Sequence, residues 1–282
     1  MPTHSYMPRD GCVVPTRPHI TKLYTAFEDH YDSDFYFGGE VHDFWELVVV
    51  TDGAVGVTAD HQVYTLRQGQ AILHPPMEFH RIWAAEGTSP TVIVVSFAAQ
   101  NLPEEMGCVR NLSPQNMARI YHIWELIRTG YERSEITVLQ PRQEMLVDAQ
   151  KSVCLLEYLL MSITGDPGSV DAQDASPSAQ QYRQIMEVLS GHISEPLTVS
   201  QVAELCHMSP TCLKRTFSRY AGIGVMHYFM EMKIRHAMEL MRRGERISAV
   251  SEALGFENQN YFSTVFRRVV GMSPSQFRKS ED

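Results

Sequence analysis

The sequence predicts an α+β protein of two domains: a small β-barrel with flanking helices, then an all-α domain with two helix-turn-helix motifs. Short β-branched runs separated by turn signals fill residues 46–97, and helical periodicity replaces them after residue 113. Residues 165–180 read GDPGSVDAQDASPSAQ, a polar, Pro- and Gly-containing composition typical of a linker. We therefore expect domains at 1–164 and 181–282, joined by a linker at 165–180.

The charge of the chain changes at the same place. The 282 residues carry a formal net charge of -9. Residues 1–180 contain 11 Lys and Arg against 23 Asp and Glu, a net charge of -12, whereas residues 181–282 contain 13 against 10, a net charge of +3. An acidic first domain and a basic second one indicate two different tasks, and only the second suits a polyanionic partner.

Composition also limits the class of protein. No apolar stretch is long enough to span a membrane, and the first residues do not read as a secretion signal. The five cysteines are scattered, without a CxxC pair, so neither a disulfide framework nor a zinc ribbon is indicated. We expect a soluble protein of the reducing cytoplasm, with no membrane partner.

In the first domain the sequence before Glu46 is turn-rich, and strands are predicted only after it. They are Leu47–Thr51, Ala54–Ala59, Gln62–Leu66, Ala71–His74 and Thr91–Phe97, an antiparallel sandwich or small barrel. A helix capped by Ser113 and Pro114 follows, and a second helix covers about 142–163. Their broad apolar sides either only cover the barrel or also form a dimer interface.

The second domain contains a weak internal duplication. Val199, Val202 and Glu204 match Ile247, Val250 and Glu252, and after the turn Leu213, Phe217 and Gly222 match Phe262, Phe266 and Gly271. Each copy is predicted to be a helix, a short turn and a second helix, and a helix at Met226–Met241 joins the copies.

The second helix of each copy has an outward face of polar and basic side chains. In the first copy these are Thr211, Lys214, Arg215 and Ser218; in the second they are Gln259, Asn260, Ser263 and Thr264, followed by Arg267 and Arg268. Arg and Lys donate to guanine in the major groove, amides pair with adenine, and the two terminal arginines suit phosphate. The pattern therefore predicts double-stranded DNA as a partner.

These residues resemble the AraC/XylS family of bacterial transcription regulators. Residues 253–278, ALGFENQNYFSTVFRRVVGMSPSQFR, are similar to the C-terminal signature of that family, and Leu205, Ser209-Pro210, Leu213, Arg215-Thr216-Phe217 and Gly222 agree less tightly with its first helix-turn-helix. Two positions depart from the family pattern: Ser251 stands where Ala is usual, and Gly222-Ile223-Gly224-Val225 precedes the connecting helix.

The first domain resembles the cupin-like sensing domain that many members of this family carry. The matching residues are His42, Trp45-Glu46-Leu47, Gly53, Tyr64-Thr65-Leu66, Gly69, Pro75-Pro76 and His80. The two resemblances together imply a seven-helix DNA-binding domain whose two reading helices enter successive major grooves. They also imply a small-molecule effector in the barrel, a homodimer, contact with RNA polymerase and an activator's role; a sugar is the first guess for the effector.

A barrel mouth of this kind suits a small ligand, and six side chains are candidates for its pocket. They are His42, Trp45, Glu46, His74, His80 and Trp83. His42, Glu46 and His80 could instead supply three metal ligands, but Glu40 replaces the first His of the usual His-x-His, so we expect no metal and no cofactor.

No Gly-x-Ser-x-Gly, P-loop or GxGxxG motif is present, so no enzymatic activity is expected. Two rival interpretations remain open: a metal-dependent cupin enzyme fused to a helical module, and a regulator with a vestigial barrel that a protein partner controls.

Overall fold

The computed structural model describes residues 18–102, 109–134, 138–164 and 173–281. Cys12, Cys108 and residues 165–172 of the predicted linker lie outside these ranges. Among the described residues, no helix combines the length and the apolar character that crossing a membrane requires.

The N-terminal part is built from two antiparallel sheets and a separate hairpin. The five-stranded sheet has the order β1-β7-β2-β5-β8 and the three-stranded sheet the order β4-β3-β6. The strands are β1 His19–His30, β2 Trp45–Asp52, β3 Ala54–Ala59, β4 Gln62–Arg67, β5 Gln70–His74, β6 His80–Ala84, β7 Thr91–Gln100 and β8 Arg110–Asn111, and the hairpin is β9 Tyr131–Ser134 with β10 Val138–Pro141.

Of the two predicted arrangements, a sandwich or a small barrel, the described strands form the sandwich of two sheets and no closed barrel. The chain passes from the five-stranded to the three-stranded sheet at Gly53, between β2 and β3, and returns to the five-stranded sheet at Gly69, between β4 and β5. Both glycines have positive φ, 69° and 82°, a conformation that costs a glycine little. The hydrogen-bonded ladder is therefore not continuous around the domain.

Strand β1 lies in sequence that we expected to be turn-rich. It pairs along the whole of β7, but the register shifts between Ile20 and Lys22 and again between Leu23 and Thr25. Each irregularity moves the following side chains to the opposite face, so the period-two pattern that identifies a strand is interrupted.

Helices α1, Pro114–Gly130, and α2, Leu146–Thr164, pack against the five-stranded sheet, as the sequence predicted. The side chain of Ser113 accepts a hydrogen bond from the Asn116 amide and caps α1. Ile120 and Ile123 of α1 and Leu156 and Leu160 of α2 are fully buried in one core with Leu47 of β2. These helices therefore close the outer face of the sheet.

The C-terminal part consists of seven helices between residues 177 and 281. They are α3 Pro177–Gly191, α4 Val199–Leu205, α5 Pro210–Ala221, α6 Val225–Arg242, α7 Ile247–Ala253, α8 Gln259–Val270 and α9 Pro274–Glu281. Helix α3 begins inside the segment predicted as a linker, because Ser176 caps it and Pro177 suits a first helical turn. The pairs α4–α5 and α7–α8 are the two helix-turn-helix units, and α6 joins them.

Both reading helices, α5 and α8, begin with a side-chain cap. The Ser209 hydroxyl accepts from the Cys212 amide and the Asn258 side chain accepts from the Tyr261 amide. Both end at a glycine with positive φ, Gly222 and Gly271. The two departures from the family pattern are accommodated: Ser251 is buried in α7, and Gly224 precedes α6 without a side-chain cap.

Candidate ligand pocket and nucleic-acid interface

A cavity of about 520 Å³ lies between the two sheets of the N-terminal part. Val48 and Val94 line it from the five-stranded sheet, and Val57 and Ile82 line it from the three-stranded sheet. Its other walls are mainly aromatic, and its polar lining residues are Thr25, Glu40, Glu46, His74, His80, Arg81 and Ser96. A mainly apolar cavity of this size with a few polar groups is typical of a small-molecule site.

Three of the six predicted pocket residues, Glu46, His74 and His80, line the cavity. The alternation of β2 explains why Trp45 does not. Glu46 and Val48 point toward the cavity, whereas Trp45 and Leu47 point to the opposite face and belong to the core under α1 and α2. Trp45 is therefore a core residue, not a ligand platform.

Trp83 also lies outside the cavity, on the other face of β6. Its indole ring covers Gly56 so closely that a Cβ atom at that glycine would approach the ring to 2.1 Å. The ring faces Tyr220 of α5, with ring centroids 6.0 Å apart. Trp83 therefore takes part in the contact between the two parts of the protein.

His42 does not line the cavity, but it is part of the cluster at the cavity's polar end. Its Nε2 lies 3.8 Å from Glu46 Oε2, and His80 Nε2 lies 3.3 Å from Glu46 Oε1. Burial alone would raise the pKa of Glu46, but the adjacent imidazole rings of His42 and His80 hold that pKa well below its ordinary value. Glu46 is therefore an ionised carboxylate at the end of an apolar cavity.

His74 and Glu78 form an adjacent buried pair, with His74 Nδ1 2.6 Å from Glu78 Oε2. Burial raises the pKa of Glu78 to about 8, and the charge of Asp60 raises it further. Burial also lowers the pKa of His74 well below its ordinary value. Burial therefore favours the uncharged form of each partner, in which a protonated Glu78 carboxyl would donate to His74 Nδ1.

Sequence reasoning missed the aromatic wall of the cavity. Tyr24 and Phe27 line it from β1, and Tyr31, Phe35 and Phe44 line it from the segment that follows. The rings of Tyr31 and Phe35 are stacked with centroids 3.7 Å apart. The signal was the density of aromatic residues in this segment, which is unusual for a surface loop.

The three-stranded sheet contacts helices α3 and α6 of the C-terminal part through the turn between β3 and β4. Asp60 Oδ1 accepts from the Tyr228 hydroxyl at 2.9 Å and from Arg235 Nη2 at 3.2 Å. The backbone carbonyl of Asp60 accepts from the Tyr182 hydroxyl at 2.9 Å. Val63 of β4 lies in the same core cluster as the helices α3 to α6. The cavity-bearing part and the helical part therefore share a packed interface.

The helical face predicted to contact DNA is exposed in both units. Thr211, Lys214 and Arg215 of α5 and Gln259, Asn260 and Thr264 of α8 are exposed, and Ser263 is half-buried. Leu213 and Phe217, and likewise Phe262 and Phe266, are fully buried on the opposite side of their helices. Each reading helix is thus held by its apolar side and presents the predicted polar side.

The hydroxyl groups on these faces donate to their own helix. Ser218 donates to the Lys214 carbonyl at 2.8 Å, Ser263 to the Gln259 carbonyl and Thr264 to the Asn260 carbonyl. Their oxygen lone pairs remain available to donors on a partner. Lys214, Arg215, Arg267 and Arg268 form no ion pair with any residue that the structure describes. The positive charge of this face is therefore not neutralised within the described chain.

Comparison with known proteins assigns both parts. Residues 24–141 match the model of the AraC-like ligand binding domain, and residues 202–280 match a helix-turn-helix domain model. The chain belongs to the AraC family of transcription regulators. The cavity lies in the first of these AraC-type domains, and both reading helices lie in the second.

Similar AraC-type proteins cover most of the chain. It is 26% identical over 258 residues to the HTH-type transcriptional activator RhaR of Enterobacter sp. (strain 638), covering 90% of both proteins. It is 27% identical over 242 residues to the activator of the same name from Pectobacterium carotovorum subsp. carotovorum (strain PC1), covering 84% of both. For the one from Yersinia pestis bv. Antiqua (strain Angola) the values are 27% over 252 residues, 86% of this chain and 85% of that protein.

Proposed function

We propose that this protein is a sequence-specific DNA-binding activator of transcription whose affinity for DNA responds to a small molecule in the cavity. One combination of features carries the proposal. The faces of α5 and α8 are exposed and their positive charge is not neutralised by described residues, and the part that contains the cavity packs against the helices that include α5. The similarity to transcriptional activators supports the direction of the response.

The reading faces supply the chemistry of base recognition. On α5, Lys214 and Arg215 would donate to guanine and Thr211 would contact a thymine methyl group. On α8, Gln259 and Asn260 would pair with adenine, and Ser263 and Thr264 would accept from base amino groups. Arg267 and Arg268 would contact phosphate. Ser218 completes the face of α5.

The cavity supplies the chemistry of effector binding. Aromatic walls stack on the apolar face of a sugar ring, and Glu46 and His80 at the polar end accept from or donate to hydroxyl groups. A sugar is therefore the first class of effector to test. Effector binding would shift the population of conformations in which the two parts pack together.

Further features of the proposal come from the family resemblance. We propose a homodimer in the cytoplasm that contacts RNA polymerase, with no enzymatic activity. The exposed side chains Leu146, Val147, Tyr158 and Met161 of α2 support a second copy of the chain at this surface.

The test compares DNA affinity of the full chain with that of two variants by fluorescence anisotropy over a range of salt concentrations. Wild-type affinity is expected to fall steeply as salt rises. Arg215→Ala should lose roughly 1–3 kcal/mol at a preferred site and relax its sequence preference. The control, Arg128→Ala, removes an exposed arginine of α1 that pairs with Glu125 and should change neither.

Two outcomes would count against the proposal. Affinity that does not depend on salt would exclude contacts to DNA phosphates. A loss of affinity in Arg128→Ala equal to that in Arg215→Ala would show that α5 has no special role in binding DNA. A loss that is equal on every sequence would reassign Arg215 from base reading to phosphate contact.

A further inference from the structure

Four potential ligand side chains converge at the polar end of the cavity. One atom each of Glu40, His42, Glu46 and His80 lies within 4.8 Å of all the others. Backbone contacts fix the positions of these residues. The backbones of Glu40 and His80 exchange two hydrogen bonds of 3.0 and 3.1 Å, and Glu46 lies on β2, the central strand of the five-stranded sheet. The cluster therefore joins the segment between β1 and β2, which contains Glu40 and His42, to both sheets.

Both imidazole rings are oriented by backbone carbonyl groups. His42 Nδ1 lies 2.9 Å from the Phe44 carbonyl, and His80 Nδ1 lies 3.2 Å from the Glu78 carbonyl. Because a carbonyl oxygen can only accept, Nδ1 carries a proton in each ring, and a neutral ring has its lone pair on Nε2. A backbone carbonyl is one of the common partners of the far nitrogen of a metal-bound histidine.

The two Nε2 atoms have no satisfactory partner of their own. Both are buried, and neither forms a hydrogen bond with any residue in the described part of the chain. The side chains of His42 and His80 are only 10% and 6% exposed. Buried polar atoms are nearly always paired, so two unpaired nitrogens aimed at one point indicate a missing partner between them.

The distances fit a shared ion better than direct contact. His80 Nε2 is 3.3 Å from Glu46 Oε1 and 3.7 Å from Glu40 Oε1, and His42 Nε2 is 3.8 Å from Glu46 Oε2. These lengths exceed those of good hydrogen bonds. Ligand atoms about 2.0–2.1 Å from a common tetrahedral ion lie roughly 3.3 Å apart, which matches the distance between His80 and Glu46; Glu40 and His42 would move inward to complete the site.

The charge of the cluster favours a cation. Two carboxylates face two imidazoles, and the Ser96 hydroxyl, itself 2.8 Å from Thr25 Oγ1, donates to Glu46 Oε2 at 2.9 Å and fixes that carboxylate. A cation between the two imidazole rings would therefore be attracted by both carboxylates.

We propose that Glu40, His42, Glu46 and His80 bind one divalent first-row transition-metal ion at the end of the cavity. Imidazole with carboxylate suits Zn²⁺, Mn²⁺, Fe²⁺, Co²⁺ or Ni²⁺, whereas Ca²⁺ prefers oxygen alone and Cu⁺ prefers sulfur. Glu40, Glu46 and His80 line the cavity, so any further coordination position faces it. If the proposed effector role holds, the effector would bind the ion through hydroxyl or carboxylate oxygens.

The experiment titrates Co²⁺ into the chelator-treated, tag-free full chain and follows the visible absorption of the bound ion. Wild-type protein should bind about one ion per chain with the intense bands of a low-coordinate nitrogen and oxygen site, and Zn²⁺ should displace it. His80→Gln and Glu46→Gln should weaken binding by at least roughly 100-fold, and Ser96→Ala, which removes only the orienting hydroxyl, by roughly 10–100-fold. The exposed His122 of α1 provides the control, His122→Gln.

Circular dichroism and the melting temperature show whether each variant folds, and Ser96→Ala retains all four ligands. A folded wild-type chain that binds neither Co²⁺ nor Zn²⁺ would overturn the proposal. So would binding that is the same in His80→Gln, Glu46→Gln and His122→Gln. Because no DNA is present, a failure of DNA binding would leave this result standing and refute only the proposed function.

Discussion

The guanidinium of Arg81 donates a hydrogen bond of 2.7 Å to the backbone carbonyl of Arg219. Arg81 lies on β6 and lines the cavity, and Arg219 lies in the last turn of the reading helix α5. Arg81 Nε also donates to the carbonyl of Phe37, another lining residue. A cation suits the negative end of a helix, so one side chain connects the cavity wall to the helix that we propose contacts DNA.

We expect Arg81→Met to weaken this connection. The substitution keeps most of the side-chain volume but leaves the carbonyls of Phe37 and Arg219 without their charged donor, which should lower the free energy of unfolding by about 1–3 kcal/mol. Urea unfolding followed by tryptophan fluorescence measures the loss. Arg67→Met, which removes an exposed arginine paired with Glu86, is the control and should change it by less than about 0.5 kcal/mol. Equal losses in the two variants would contradict the special role of Arg81.

Asp60 should be the most sensitive residue of the interface. Arg235 is only 11% exposed at its side chain and pairs with Asp60, so Asp60→Ala would leave a buried guanidinium without its counter-charge. We expect a loss of about 3–5 kcal/mol in the free energy of unfolding. Asp52→Ala, at an exposed position at the end of β2, should cost less than about 0.5 kcal/mol in the same urea titration. A loss below about 1 kcal/mol for Asp60→Ala would show that Arg235 is solvated.

Local chemistry explains which parts of the fold the sequence could predict. Helix α1 was predicted because Ser113 and Pro114 mark its start and its apolar residues repeat with the helical period, and α5 and α8 were predicted from the internal duplication. The choice between the two predicted arrangements, a sandwich and a small barrel, could not be made from the sequence, because strand runs separated by turns do not reveal which strands pair. Strand β1 was missed because two register shifts interrupt its alternation.

The pocket was only half predictable for a similar reason. Glu46 and His80 belong to the residues that resemble a sensing domain, His74 was a further polar candidate, and all three line the cavity. Trp45, which also belongs to the resemblance, and Trp83 have their side chains on the other faces of β2 and β6. Which face of a strand is the inner one depends on the packing of distant elements, which no local pattern contains.

Arg267 and Arg268 allow phosphate contact to be separated from base reading. Arg267→Ala should weaken binding by a similar factor on all DNA sequences and reduce the slope of log affinity against log salt by about 1, because one phosphate contact is lost. Gln259→Ala should weaken binding only on sequences with the preferred base. Anisotropy titrations on a preferred duplex and on a scrambled one measure both. A sequence-dependent loss for Arg267→Ala would move that residue to base reading.

The burial of Lys233 should make the stability of the protein depend on pH in the alkaline range. This fully buried residue of α6 donates to the backbone carbonyls of Glu195 and Leu254, and burial lowers its pKa to about 8, against the opposing charge of Glu195. The unfolded chain holds this proton up to an ordinary pKa of 10.5. Between these values the unfolded state binds more protons, so the contribution of Lys233 to the free energy of unfolding rises with pH.

Comparison of wild-type protein with Lys233→Met isolates this contribution from other groups that titrate at high pH. The difference in unfolding free energy, wild type minus variant, should increase from about pH 7 to about pH 10. Thermal melts at several pH values measure it. A difference that decreases over this range would mean that the folded state holds the ammonium more tightly than water does.

DNase footprinting of the DNA upstream of the protein's own and neighbouring genes, with and without a panel of sugars and other metabolites, tests the regulator hypothesis itself. We expect protection of two adjacent major grooves on one face of the duplex, and a change of that protection by one compound. Protection that no compound alters would leave DNA binding in place but refute an effector in the cavity. The absence of sequence-specific protection under every condition would contradict the proposed function.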